Sequence, residues 1–174
     1  MDLEKLKYPV GQFSMPEIFD VQQAETWISE IEALPRQIKQ ATENLSEEEL
    51  NLTYRPGGWT LRQVVHHLPD SHMNAYIRFK QAITEEVPII RPYYEERWAE
   101  TAEAKNGDIK LSVILLESLH QRWVAFLKTI KTEDYQRKYI HPLIGKELTL
   151  ANMLGTYAWH GKHHLAHITN AIEK

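Results

Sequence analysis

Trp159-His160-Gly161-Lys162-His163-His164-Leu165-Ala166-His167-Ile168 places four histidines on a single segment whose apolar residues recur with a helical period. Leu150, Met153, Leu154 and Tyr157 precede it and Ile172 follows. Together with His164, Leu165 and Ile168 they form one apolar side of a helix that Thr149 caps. At 100° per residue His164 falls inside that side and His160 on its edge, one turn earlier. Residues i and i+4 of a helix have Cβ atoms roughly 5–6 Å apart, so these two imidazoles can share one metal ion. His163 points away from the apolar side and is expected to face solvent or to stand behind a ligand, and His167 lies on the flank. Gly161 occupies the place where an H-E-x-x-H protease has its glutamate, so that class is excluded. A glycine in mid-helix costs about 1 kcal/mol against alanine. Close approach of another helix, or of a ligand, would explain it.

A second histidine segment lies upstream. Thr60 and Gln63 form a capping box, stapled by Trp59 and Val64, and open a long helix. Leu61, Val64, Val65, Leu68, His72, Ala75, Phe79 and Ile83 share one broad face. His72 falls within that face, His67 on its edge, and His66 points outward. Pro69 removes one ladder hydrogen bond and should bend the helix just past His67. Periodicity alone leaves the choice between His67 and His72 as a third ligand open. Asp70, one turn from His67, is a candidate partner for its free nitrogen, with a simple surface carboxylate as the plainer reading. His120 and His141 stand alone in sequence and read as structural.

Two further helices complete the set. One runs from about Asp20 to about Asn44, with Trp27, Ile31, Leu34 and Ile38 inward and Pro35 as a predicted kink or interruption. Ser46 and Glu49 then cap a turn or two of helix. The other starts near Asp108, with Leu111, Ile114, Leu115, Leu119, Trp123, Phe126, Leu127 and Ile130 expected to face the core. Four long amphipathic helices predict an all-α, single-domain four-helix bundle over residues 1–174. The stretches 85–107 and 131–148 are too long for tight hairpins, so the bundle need not run up-down-up-down. Connections of that length are often lids. Arg91-Pro92-Tyr93 in the first is expected to cover the site, with Arg91 pairing a carboxylate on the ligand.

Composition bounds the rest. The chain has 174 residues, 9 His and no Cys, so any metal site is built from imidazole and carboxylate. The net charge is −4, with 24 acidic and 20 basic residues and no basic stripe for nucleic acid. No apolar run is long enough for a bilayer, and Met1-Asp2-Leu3-Glu4-Lys5 lacks a signal-peptide core. The expectation is a soluble, cytoplasmic protein with neither nucleic-acid nor membrane partners.

Gly57-Gly58-Trp59-Thr60-Leu61-Arg62-Gln63-Val64-Val65-His66-His67-Leu68, with Asp70-Ser71-His72-Met73-Asn74, resembles the first histidine helix of the DinB/YfiT-like superfamily. Arg91-Pro92-Tyr93 resembles its mid-chain segment and Trp159 to Ile168 its last histidine helix. The likeness is closest to the YfiT branch of metal-dependent hydrolases, whose relatives include bacillithiol S-transferases. It implies a four-helix bundle, a homodimer, and one divalent ion on His67, His160 and His164. His167 stands where many members carry glutamine and is a candidate to join or replace a ligand. An all-nitrogen site suits zinc first and nickel second, with copper and iron(II) also compatible. Three ligands leave a position open for a nucleophile, either water or an external low-molecular-weight thiol, against a small-molecule electrophile. Thiol transfer is expected to dominate, with Arg91, Tyr93 and Asp70 as supporting residues and Gly161 leaving room for a bulky ligand. The competing reading is a non-catalytic bundle that the metal only braces.

Overall fold

A computed structural model of the chain describes residues 2–173. Four long helices form the bundle: α2 (Val21–Thr42), α4 (Leu61–Thr84), α7 (Ile109–Leu127) and α8 (Leu150–Ile172). Short helices α1 (Leu3–Lys7), α3 (Glu47–Leu50), α5 (Glu95–Ala99) and α6 (Ala102–Asn106) occupy the connections. The capping boxes at Ser46, Thr60 and Thr149 are all formed. Neither proline interrupts its helix: α2 continues through Pro35 and α4 through Pro69.

Side-chain pairings give the direction of each helix. Trp27 lies against Gly155 and Leu34 against Gly161, so α2 and α8 run parallel. His67 meets His160 and His164 while Arg78 meets Tyr157, so α4 and α8 are antiparallel. His66 bonds Ser112 and Phe79 packs on Trp123, so α4 and α7 are parallel and α7 opposes α2. In chain order the bundle therefore runs up, down, down, up. A parallel α4–α7 pair requires a crossover the length of the bundle, and residues 85–108 supply it.

Four α4 side chains hold that crossover down. Arg62 donates to the Gly107 carbonyl, Gln63 to that of Ala99 and Arg78 to that of Arg91, while His66 reaches Gly107 and Ser112. The stretch read as irregular between α7 and α8 contains a hairpin, β1 (Lys138–His141) with β2 (Lys146–Thr149), turned at Gly145 with φ +66°. Four-residue strands carry too little alternation to stand out from a loop.

The inner face of α7 differs from expectation. Ile109, Val113, Leu116, His120, Trp123, Val124 and Leu127 are buried, whereas Leu111, Ile114 and Leu115 are exposed. This helix is apolar on two sides, and only one packs on the bundle. Gly161 also receives its explanation here. A Cβ would stand 2.6 Å from Leu34 Cδ2, so α2 occupies the space and no ligand does.

Candidate metal centre

The antiparallel contact of α4 and α8 brings His67, His160 and His164 together with one ring nitrogen each mutually within 4.8 Å. His67 Nε2 and His160 Nε2 are 3.2 Å apart. Two nitrogens each about 2.0–2.1 Å from zinc at a tetrahedral angle would be about 3.3 Å apart, so the donors fit a small divalent ion. Ring centroids are 4.5 Å apart for His160–His164 and 4.9 Å for His67–His164. The three rings converge on the wall of a cavity of about 780 Å³, which Trp59, Ser71, Arg78, Tyr93 and His141 also line. Glu95, Glu96 and Glu100 also line the cavity, but among the described residues no carboxylate oxygen joins the three nitrogens within 4.8 Å.

The site is built to keep its imidazoles neutral. Burial pushes His67 down to about 4. Burial first, and neighbouring imidazoles second, push His160 and His164 well below the usual histidine range. A neutral imidazole is the form that binds metal, so ligation at neutral pH needs little proton release. Trp59 covers His67 with ring centroids 4.9 Å apart and keeps its outer side dry.

More imidazoles stand behind the first three. His160 Nδ1 lies 3.0 Å from His72 Nε2, and His72 Nδ1 lies 2.9 Å from His120 Nε2. His120 Nδ1 donates to the Ile31 carbonyl at 2.6 Å. His72 thus backs a ligand, and His120, which looked isolated in sequence, joins the same row from α7. On the other flank His164 Nδ1 meets His167 Nδ1 at 3.3 Å, and His167 Nε2 reaches the Lys7 carbonyl at 3.2 Å. His163, expected to face solvent or to stand behind a ligand, is buried between Trp159 and His167, with rings 4.5 and 4.2 Å away, and lies 5.0 Å from the ring of His164. The N-terminal segment covers that flank, with Tyr8 6.0 Å from His163, and a wheel drawn for one helix cannot anticipate such a cover. His163, His164 and His167 also bring ligand atoms within 4.8 Å of one another. That triad reuses His164, so the two sets compete for one ion.

The remaining expectations divide. Tyr93 and Pro92 do line the cavity, and the crossover forms part of its wall. Burial raises the Tyr93 phenol, against a lowering contact with Ser71. Arg91 is exposed and contributes its backbone carbonyl to Arg78; the arginines on the wall are Arg55 and Arg78, and Arg78 stands two turns beyond Ser71 on the side of α4 that carries His67. Asp70 is only partly buried, does not line the cavity and makes no hydrogen bond to His67. Burial and then Glu103 raise its carboxyl to about 6. His66 faces α7 rather than solvent and bonds Ser112 at 2.7 Å. His141 lines the cavity from β1.

Comparison with known proteins agrees with this geometry. The sequence profile of the DinB superfamily matches residues 30–168. A Bacillus cereus (strain 03BB102) protein named "Putative metal-dependent hydrolase" is 49 % identical over 168 residues, covering 97 % of this chain and 96 % of its own length. A Bacillus subtilis (strain 168) protein, "Putative metal-dependent hydrolase YfiT", is 48 % identical over 164 residues, covering 94 % and 92 %. The solved structure of YfiT from Bacillus subtilis, described as "a probable metal-dependent hydrolase with an unusual four-helix bundle topology", superposes with a TM-score of 0.94 at 46 % identity over 97 % of both chains. With a profile match across most of its length and the same four-helix bundle as its solved relative, this chain belongs to the DinB superfamily.

Proposed function

We propose that this protein is a metal-dependent enzyme of the cytoplasm that holds one divalent ion, zinc first and nickel second, on His67, His160 and His164. The observation that carries this reading is the open triad: three convergent ring nitrogens facing a cavity, with no fourth ligand atom within 4.8 Å of all three among the described residues. A bracing metal would have a closed shell. The ion would supply Lewis acidity toward an oxygen or sulfur nucleophile entering from the cavity. The protein's own groups do the rest. Trp59 shields the ligands, Tyr93 and Ser71 offer hydroxyls to a polar substrate, and Arg78 takes the orienting role expected of Arg91, holding a ligand carboxylate.

Hydrolysis and thiol transfer share this machinery. The cavity volume of about 780 Å³ favours thiol transfer, since it accommodates a cosubstrate beside the electrophile. The chain has no cysteine of its own to be alkylated. The argument from space beside Gly161 does not add to this, because Leu34 fills it. The test is turnover of a reactive electrophile by metal-loaded protein with and without a low-molecular-weight thiol, after subtracting the uncatalysed reaction. Faster enzymatic turnover with thiol supports transfer; equal rates assign water as the nucleophile. We also propose a homodimer in which a second copy covers the exposed Leu111, Ile114 and Leu115 of α7.

A further inference from the structure

The rows of imidazoles behind the ligands contain a chain of obligate choices. A carbonyl oxygen only accepts hydrogen bonds. The Ile31 carbonyl, 2.6 Å from His120 Nδ1, therefore requires the His120 proton on Nδ1. His120 Nε2 is then a bare acceptor, 2.9 Å from His72 Nδ1, which must carry the proton of His72. His72 Nε2 is bare in turn, 3.0 Å from His160 Nδ1, which must carry the proton of His160. His160 Nε2 is left as a lone pair facing His67 Nε2. Reversing the order would set a nitrogen lone pair against the carbonyl oxygen in a buried site, leaving both unsatisfied. The other ligand of α8 follows the same logic independently. The Lys7 carbonyl fixes the His167 proton on Nε2, so His167 Nδ1 accepts from His164 Nδ1 and frees His164 Nε2.

We propose that His72 and His120 are positioning residues for the metal centre: through these two rings a backbone carbonyl of α2 compels His160 to present Nε2 as the ligand atom. The proposal rests on the metal reading above only for its functional consequence; the proton order exists in the metal-free protein as well. In that state the one proton between His67 Nε2 and His160 Nε2 belongs to His67. Metal entry then requires a tautomer change at His67 alone, and His160 is ready before the ion arrives. Because every member of the row is neutral, the outer layer fixes geometry without adding the negative charge that a carboxylate partner would bring to the metal.

The decisive measurement is the long-range ¹H–¹⁵N correlation spectrum of metal-free protein labelled with ¹⁵N-histidine. His72, His120 and His160 should all be protonated on Nδ1 and His167 on Nε2; a proton on Nε2 of His72 or His160 overturns the proposal. Two variants extend it to metal binding. His120→Phe keeps an aromatic ring but breaks the row, and should weaken zinc affinity by about 10–100-fold. His120→Gln can accept from His72 and donate to Ile31, and should recover affinity to within about threefold of the parent. A folded His120→Phe that binds zinc as tightly as the parent overturns the proposal. Should that variant fail to fold, the parent spectrum alone decides. Full zinc occupancy in His160→Ala would remove the metal reading while leaving the spectrum to judge the proton order.

Discussion

Along α7, Leu111, Ile114 and Leu115 stand in solvent at 71 %, 60 % and 44 % exposure, whereas along α8 His163, His164 and His167 are buried. Each helix puts residues where solvation alone would not. Burying an imidazole is costly unless its nitrogens have partners, and on α8 those partners are other imidazoles, the Lys7 carbonyl and a prospective ion, while His163 Nδ1 is buried without one. Leucine and isoleucine clustered in solvent, as at Leu111, Ile114 and Leu115, form the kind of patch that the proposed second copy would cover. The lesson is that a mismatch between residue type and location points to use, and its sense indicates which: polar groups inside mark chemistry, apolar groups outside mark contact.

The largest effect should come from emptying α8. His160→Ala and His164→Ala should each drop bound zinc from near one ion per chain to near zero, by elemental analysis after dialysis. Near-stoichiometric metal in both variants would dissolve the contrast between the helices.

Acid should strike the buried histidine cluster next. The folded pKa of His67 and of His120 is depressed from 6.5 to about 4, by burial in both cases. The unfolded chain therefore binds more protons between those values. The stability of the metal-free protein is complete above about pH 6.5 and is lost as pH falls toward about 4, by roughly 3 kcal/mol for each such histidine. Urea midpoints should fall steeply between about pH 6.5 and pH 4. A flat profile would mean that these rings are wetter than the structure has them. Asp70 acts in the opposite sense, because its folded carboxyl is raised to about 6. Asp70→Asn should stabilise the protein at neutral pH and leave acid stability unimproved, in the same urea series.

Smaller still is the effect of closing the α2–α8 seam. Gly161→Ala gains about 1 kcal/mol of helix propensity and meets Leu34. Overpacking of about 1–3 kcal/mol should win, leaving the variant modestly less stable in urea unfolding. A stabilised variant would mean that Leu34 yields. The smallest change in fold stability should attend Ile114→Glu on the exposed side of α7, within about 0.5 kcal/mol. The same variant should convert dimer to monomer in analytical ultracentrifugation. A large loss of stability without a change in mass would identify this side as core and erase the comparison from the other end.

Three of the four long helices were legible because their apolar residues sit on one side: Trp27, Ile31, Leu34 and Ile38 in α2, Val64 to Phe79 in α4, Leu150 to Ile168 in α8. The His160–His164 pair was legible for the same reason. The face of α7 was not, since Ile109, Val113 and Leu116 compete with Leu111, Ile114 and Leu115, and only the neighbours decide. Resemblance, not periodicity, singles out His67 over His72; the structure puts both at the centre, one facing the cavity and one behind His160. His120 and Lys7 were beyond reach from sequence, because their roles depend on helices meeting across the bundle.

The pairing of α2 with α8 sets an order of events during synthesis. Leu34 cannot settle against Gly161, nor Trp27 against Gly155, until α8 has been made and has docked. Contacts this remote in sequence close slowly and late. His67 precedes His160 by 93 positions, so a chain still short of α8 holds one of the three proposed ligands. In the proposed site, metal capture would thereby report that the whole bundle has assembled, and a product interrupted before α8 would lack the triad.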